Sequence, residues 1–248
     1  MRVFQGSFGV VVLLAAASGL RAQDAARAII EKAVKAHGGM ERLSRLRADH
    51  VQTKGNLIVD GKETPFVGET MVQFPGQYKT VMQLTTPKGR VTLVQILNGD
   101  KALVTIDGQP QPVQAAALAE LRETFQLNRA MRLVPLLTER GYELAALDEV
   151  RVNDRPALGV RVTARGKRDL RLYFDRELGL LVKSEHTLDA GEGKEVRQEV
   201  YYGDFREFEG HKRPTKLSAF RDGKKVMDAE MTDVKYLDKI DETEFTKP

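Results

Sequence analysis

The sequence predicts a mainly β (α+β) protein, an unclosed antiparallel β-barrel or half-barrel with helices covering its concave face. Short segments with apolar residues at every second position recur from Arg47 to Asp107 and from Tyr142 to Leu237, each ended by a tight-turn sequence. One apolar helical segment, Val113–Arg140, lies between the two runs. Hairpins that need no crossover helices form antiparallel sheets, so the helical segment is left to cover one face of the sheet.

The N-terminal segment has the pattern of a secretory signal peptide. Arg2 provides a positive charge, the thirteen residues Phe8–Leu20 are predominantly apolar, and Ala22 is a small residue suited to cleavage near Ala22 or Gln23. A membrane-spanning helix needs about 20 apolar residues, so an uncleaved anchor is the weaker alternative. We predict that residues 1–22 are a signal peptide and that residues 23–248 form an exported, soluble periplasmic protein.

Composition narrows the function classes. Cysteine is absent, which excludes disulfides, thiolate metal ligands and a lipid anchor on a cysteine after the signal. Without Arg2 and Arg21 the chain has 37 basic and 35 acidic residues, and the two signs are interleaved. This near balance argues against a nucleic-acid partner, and the absence of tryptophan argues against a surface that stacks on bases or sugars.

The mature chain begins with predicted helices. Asp24 caps an amphipathic helix that ends at Gly38-Gly39, and Met40–Leu46 forms a further helical turn. His37 lies on the apolar face of the first helix, and we interpret it as a packed core histidine.

The first run of strands follows. Tight turns are predicted at Asp60-Gly61, Pro75-Gly76, Pro87–Gly89 and Asn98-Gly99, because these sequences favour positive φ or fix a bend. Val91–Leu97 is nearly continuous in apolar residues, which indicates a strand that is buried on both faces.

The helical segment is a predicted lid at about residues 113–140. Pro110 and Pro112 stop the strands before it. Leu118, Leu121 and Phe125 share one arc of the helix. Pro135 is expected to begin a second short helix or to kink the first.

The second run of strands completes the sheet. Turns are predicted at Asn153-Asp154, Asp175–Gly179, Ala190–Lys194 and Asp222-Gly223. A short tail follows, Asp241–Pro248, in which Phe245 is expected to dock on the body of the protein. No low-complexity linker divides the mature chain, so we predict a single domain.

The polar residues give no catalytic pattern. The mature chain has three serines, none in a strand–turn–helix elbow, and its four histidines lack metal-ligand spacing. We therefore predict no enzyme activity, no cofactor and no metal. Basic pairs such as Lys212-Arg213 at predicted turns leave two interpretations open: transient contact with anionic membrane headgroups, and solvated hairpin tips. The second is favoured, because charged tips keep strand edges from pairing with other chains.

The remaining candidate site is apolar. The concave side of the sheet and the lid would each contribute large side chains, which either pack into an ordinary core or leave a dry pocket for acyl chains. The residues alone favour the core. The predicted set is Phe66, Phe74, Met82, Leu84, Leu93, Leu172, Phe174, Met227 and Met231 from the sheet, with Leu118, Leu121, Phe125, Leu133 and Leu137 from the lid.

Several strand-and-turn motifs resemble a known family of exported proteins. They are Tyr173-Phe174-Asp175 with Gly179-Leu180, Lys183-Ser184-Glu185, Glu199–Phe205, Gly210 with Pro214-Thr215-Lys216, Arg221–Lys224, Asp241–Phe245 and, near the start, His37-Gly38-Gly39. In these features the chain resembles the outer-membrane lipoprotein carrier (LolA-like), or lipoprotein-sorting, superfamily. The resemblance implies an unclosed barrel whose hydrophobic cavity holds lipid or lipid-modified protein.

Two functions follow as hypotheses. The first is a periplasmic carrier that holds acyl chains of a lipid or lipoprotein under the lid. The alternative is a non-catalytic envelope sensor or interaction module with a filled core that recognises a protein partner.

Overall fold

The computed structural model describes residues 11–59, 61–189 and 194–248. Residues 1–10 of the predicted signal peptide, Asp60 of a predicted turn and residues 190–193 of a predicted hairpin tip lie outside this range. Removal of residues 1–22 stays a prediction.

The described residues form one antiparallel sheet of thirteen strands whose two edge strands do not pair, which confirms the predicted half-barrel. The strands are β1 Ala48–Val59, β2 Lys62–Gln73, β3 Gln77–Thr86, β4 Gly89–Asn98, β5 Lys101–Ile106, β6 Gln109–Gln111, β7 Tyr142–Val152, β8 Arg155–Ala164, β9 Leu170–Asp175, β10 Leu181–Asp189, β11 Glu195–Phe208, β12 His211–Arg221 and β13 Lys224–Leu237.

The order of the strands explains why a lid exists. The order is β6-β5-β4-β3-β2-β1-β13-β12-β11-β10-β9-β8-β7, so the two runs of hairpins meet where β1 pairs with β13. The edge strands β6 and β7 are consecutive in sequence. The connection between them must therefore cross from one edge of the sheet to the other.

That connection is helical. The helices are α1 Val11–His37, α2 Met40–Ser44, α3 Ala115–Ala130 and α4 Val134–Thr138, with a 3₁₀ helix at Glu242–Phe245. The lid contains α3 and α4, and Pro135 lies in the first turn of α4, so a new short helix begins there as expected. None of the helices in the described part of the chain combines the length and the apolar character that crossing a bilayer requires.

Two elements differ from the sequence-based prediction. Helix α1 includes Val11–His37, so Asp24 lies inside the helix and is not its cap. The reason is that leucine and alanine, which favour helix, dominate the segment before it. The three-residue strand β6 was not predicted, because Pro110 at its centre is tolerated only in an edge strand.

Helices and tail cover opposite faces of the sheet. On the concave face, α1 and α4 pack against β7–β11, and α3 packs against β2–β5. On the convex face, Phe245 is buried against Ile96 and Val94 of β4, as predicted for this docking residue. The two concave clusters leave the middle of the sheet, around β1 and β13, as the place where a cavity can form.

Candidate functional site

The first half of the lid is tightly packed. Leu121 and Phe125 of α3 are buried in a cluster with Val72, Tyr78 and Leu97, and Phe125 is only 2% exposed. The ring of Phe74 lies 5.4 Å from the ring of Phe125, centroid to centroid. The space beneath Leu121 and Phe125 is therefore filled by sheet side chains.

The second half of the lid packs on the other side of the sheet. Leu133, just before α4, is buried with Leu172 and Phe174 of β9 and with Ile30 of α1, and Leu137 packs at the edge of this cluster. Leu133 has a φ of 67°, a region that is costly for a residue with a branched side chain. Its burial holds the backbone in this conformation where α3 ends and α4 begins.

A cavity of about 300 Å³ lies where the two halves of the lid meet, and we call it the concave cavity. This volume is at the lower limit for small-molecule sites in proteins. Its walls come from the ends of α1 and α3, the residues around α2, and strands β1, β2, β10, β11, β12 and β13. The apolar walls are Leu43, Leu46, Val51, Val72, Met131, Leu133, Leu181, Pro214, Leu217 and Met231, with the rings of Tyr202 and Tyr236.

One wall of the concave cavity carries buried charge. The carboxylate of Asp49 is 4% exposed; its Oδ2 accepts a hydrogen bond from Nη1 of Arg213 and forms an ion pair with Nη2 of Arg132, both at 2.9 Å. The Arg132 side chain is 12% exposed and its guanidinium lies 4.6 Å from the centroid of the Phe74 ring. We call Asp49, Arg132 and Arg213 the arginine–aspartate cluster. Two cations share one carboxylate there, so the cluster is net positive.

Two histidines adjoin the concave cavity. Nε2 of His37 accepts from the Leu181 N–H at 3.1 Å, so Nδ1 carries the proton and donates to the Lys212 carbonyl at 2.8 Å. The ring of His211 lies against the ring of Tyr236, tilted by 53° with 4.2 Å between the centroids. Burial is the largest cause that lowers the pKa of each histidine below its ordinary value, so both favour the neutral form.

A third histidine gives a pH prediction. Burial, with Arg168 and Arg221 nearby, lowers the pKa of His186 on β10 from 6.5 to about 4. Between these values the unfolded chain binds a proton that the folded chain does not, so acidification should destabilise the protein. Between pH 7.5 and 4.5 the free energy of unfolding should fall less in His186→Gln than in the unmodified protein, by up to about 3 kcal/mol. Urea unfolding at the two pH values measures the difference. Equal pH dependence in both proteins would contradict this assignment.

The sheet register places all nine predicted sheet residues on the concave face. Cross-strand partners share a face, and Phe66 pairs with Leu84, Met82 with Leu93, and Leu57 with Met227. Of the predicted set, Leu133 and Met231 line the concave cavity, while Phe74, Leu118, Leu121 and Phe125 fill one packed cluster and Leu137, Leu172 and Phe174 belong to the other. Phe66, Met82, Leu84, Leu93 and Met227 lie farther along the same face.

The charged residues of the site were missed. The interpretation of Lys212-Arg213 as a solvated hairpin tip is wrong for Arg213, which is 31% exposed and pairs with Asp49. A signal was present for Asp49, because it stands two residues before Val51 on a strand and so shares its inward face. Arg132 likewise interrupts an apolar run between Met131 and Leu133.

A larger depression, about 660 Å³, lies on the convex face, but its buried charges are paired with one another. Lys183 Nζ contacts Glu185 Oε1 at 2.7 Å and Glu199 Oε1 at 2.6 Å. The concave cavity is the stronger candidate site, because its arginine–aspartate cluster keeps an uncompensated charge that is largely buried. Across residues 11–59, 61–189 and 194–248, no three His, Asp or Glu side chains are grouped so as to hold a metal ion.

Comparison with known proteins identifies the fold. No family model and no curated protein matches the sequence. Among solved structures, a LolA superfamily protein from Nitrosomonas europaea matches with a TM-score of 0.54 and 16% identity over 90% of this chain and 97% of that one. A putative outer membrane lipoprotein-sorting protein domain from Vibrio parahaemolyticus matches with a TM-score of 0.55 and 7% identity, at the same coverage of both chains.

A DUF1329 family protein from Desulfovibrio piger matches with a TM-score of 0.58 and 9% identity, covering 89% of this chain and 96% of that one. These identities are too low to transfer a function, but the matches span nearly the whole of each chain. The half-barrel with its helical lid is thus the fold of the LolA superfamily and of outer membrane lipoprotein-sorting domains, as the sequence motifs implied.

Proposed function

We propose that this protein is a periplasmic carrier that binds the acyl chains of a lipid or a lipid-modified protein in the concave cavity. The observation that carries the proposal is the unfilled, mostly apolar space of about 300 Å³ beneath the junction of α3 and α4. The apolar side chains of its lining favour an apolar occupant, because they offer water no hydrogen-bond partners.

The surroundings of the concave cavity support the same function. Farther along the concave face Met82, Leu84, Leu93 and Met227 are half-buried and not packed under the lid clusters, so a chain longer than the cavity has apolar surface to follow. The lid connects the two sheet edges, and its strained junction at Leu133 borders the cavity. The proposal assigns no catalytic step to the protein.

Binding of a fluorescent fatty acid to delipidated protein tests the proposal. Leu217 lines the concave cavity, and Leu217→Trp should fill part of it and weaken binding about tenfold or more. Val67 is exposed on the opposite face of β2, so Val67→Trp is a matched control that should bind like the unmodified protein.

Native mass spectrometry of protein purified without detergent should also show co-purified lipid. A well-folded, delipidated sample that binds no fatty acid would overturn the proposed carrier function. The filled-core interaction module would then be the better explanation, and it predicts a protein partner from the cell envelope.

A further inference from the structure

The concave cavity carries an uncompensated positive charge that acyl-chain binding does not require. Arg132, Arg213 and Lys212 line it, and among its lining residues Asp49 is the acidic one. Both guanidinium groups contact the same oxygen, Asp49 Oδ2, each at 2.9 Å. One carboxylate cannot neutralise two guanidinium groups, so this wall attracts a further anion.

Polar atoms in the same wall lack hydrogen-bond partners. Nη1 of Arg132 is buried, and it has no hydrogen-bond partner. Nδ1 of His211, also a lining residue, is buried without a partner as well, and this nitrogen donates or accepts according to the tautomer. Buried guanidinium donors are almost always paired, because an unmade hydrogen bond on a charged group is costly. An oxyanion in the cavity would supply the missing acceptor.

The remaining contacts orient the guanidinium groups. The Phe74 ring lies 4.6 Å from the Arg132 guanidinium, and the Tyr236 ring lies 6.0 Å from that of Arg213. Burial lowers the pKa of Arg132; Asp49 raises it, and Arg213 lowers it further, which reflects repulsion between the two cations. An anion between the two groups would relieve this repulsion.

Apolar walls begin beside these donors. Val51 stands two residues after Asp49 on β1, and Leu217 and Met231 line the same cavity. A ligand with a charged head and an apolar tail therefore matches the cavity better than either part alone. Arginine recognises carboxylate and phosphate oxygens through planar paired donors, so both heads share the required chemistry.

We propose that Arg132 and Arg213 bind the oxyanion head of a single-chain amphiphile, a carboxylate or a phosphate monoester, while Val51, Leu217 and Met231 contact its acyl chain. This inference rests on the proposed carrier function and names the ligand class for that cavity.

Calorimetric titration of delipidated protein, with ligands that share one chain and differ in the head group, tests this proposal. Laurate and dodecyl phosphate should each bind about tenfold or more tightly than dodecanol, which has the same chain without a charge. Inorganic phosphate should bind far more weakly than dodecyl phosphate. Arg213→Gln should remove the preference for laurate over dodecanol. Arg161→Gln, at an exposed position on β8, is the control and should keep the preference.

The outcomes separate the two proposals. Dodecanol binding as tightly as laurate would overturn the head-group site while supporting the carrier. Failure of all three chain-bearing ligands to bind folded protein would overturn both. If inorganic phosphate bound as tightly as dodecyl phosphate, the site would be an anion site that needs no acyl chain. That result would overturn the proposal that the ligand is an amphiphile. If Arg213→Gln does not fold, the comparison of laurate with dodecanol on the unmodified protein still decides.

Discussion

Asp49→Asn should lower the free energy of unfolding by about 3–5 kcal/mol, because it leaves Arg132 and Arg213 facing each other without a counter-charge. The Asp49 side chain is 4% exposed, so water cannot replace the lost carboxylate. Urea unfolding at neutral pH measures the effect. Asparagine keeps the shape of the side chain, so the loss reports charge and not packing.

Asp204→Asn is the matched control. The Asp204 carboxylate pairs with Lys216 at 2.5 Å, but both side chains are more than half exposed, at 55% and 68%. Exposed ion pairs of this kind contribute little to stability, so Asp204→Asn should lower the free energy of unfolding far less than Asp49→Asn. Comparable losses in the two variants would contradict a buried role for Asp49.

Asp49→Asn has a second expected effect, on ligand binding. With Asp49 neutral, the two guanidinium groups lose their internal competitor, so laurate should stabilise Asp49→Asn more than it stabilises the unmodified protein. Ligand that binds only the folded state raises the unfolding free energy in proportion to the logarithm of its affinity. A ligand-induced stabilisation that is smaller in the variant would count against an oxyanion at this wall.

Much of the fold follows from local sequence. Alternating apolar residues and turn dipeptides fix each hairpin, and a chain of hairpins has few antiparallel arrangements. Phe245 was predicted to dock because it is the one large apolar side chain in a polar tail. Strand β6 escaped prediction because three residues with a central proline give no periodicity.

The site depends on contacts that local sequence does not encode. Asp49 and Arg213 are 164 residues apart, and they meet only because β1 pairs with β13 and β13 with β12. The basic pair Lys212-Arg213 has the composition of a surface turn, so its inward residue cannot be recognised without the register. Likewise, the filled space beneath Phe125 depends on where the ring of Phe74 points.

Phe174→Ala should also lower the free energy of unfolding by about 3–5 kcal/mol, but for a different reason. Phe174 is 1% exposed and lies in the cluster that joins β9 to α1 and Leu133. Removing a buried phenylalanine ring loses its transfer free energy and leaves a cavity that the surrounding sheet and helix cannot fully close. Phe220 is half-buried on the convex face beside Tyr201. Phe220→Ala should therefore lower the free energy of unfolding clearly less than Phe174→Ala does.

Binding separates this core position from the concave cavity. Phe174 does not line the cavity, so Phe174→Ala, studied below its unfolding temperature, should bind fatty acid with unchanged affinity. Leu217→Trp should show the reverse, weakened binding with a smaller loss of stability, because it adds volume to a space that is already empty. If Phe174→Ala lost binding while remaining folded, the acyl chain would have to lie between β9 and α1, and the assignment of the concave cavity as the carrier site would be wrong.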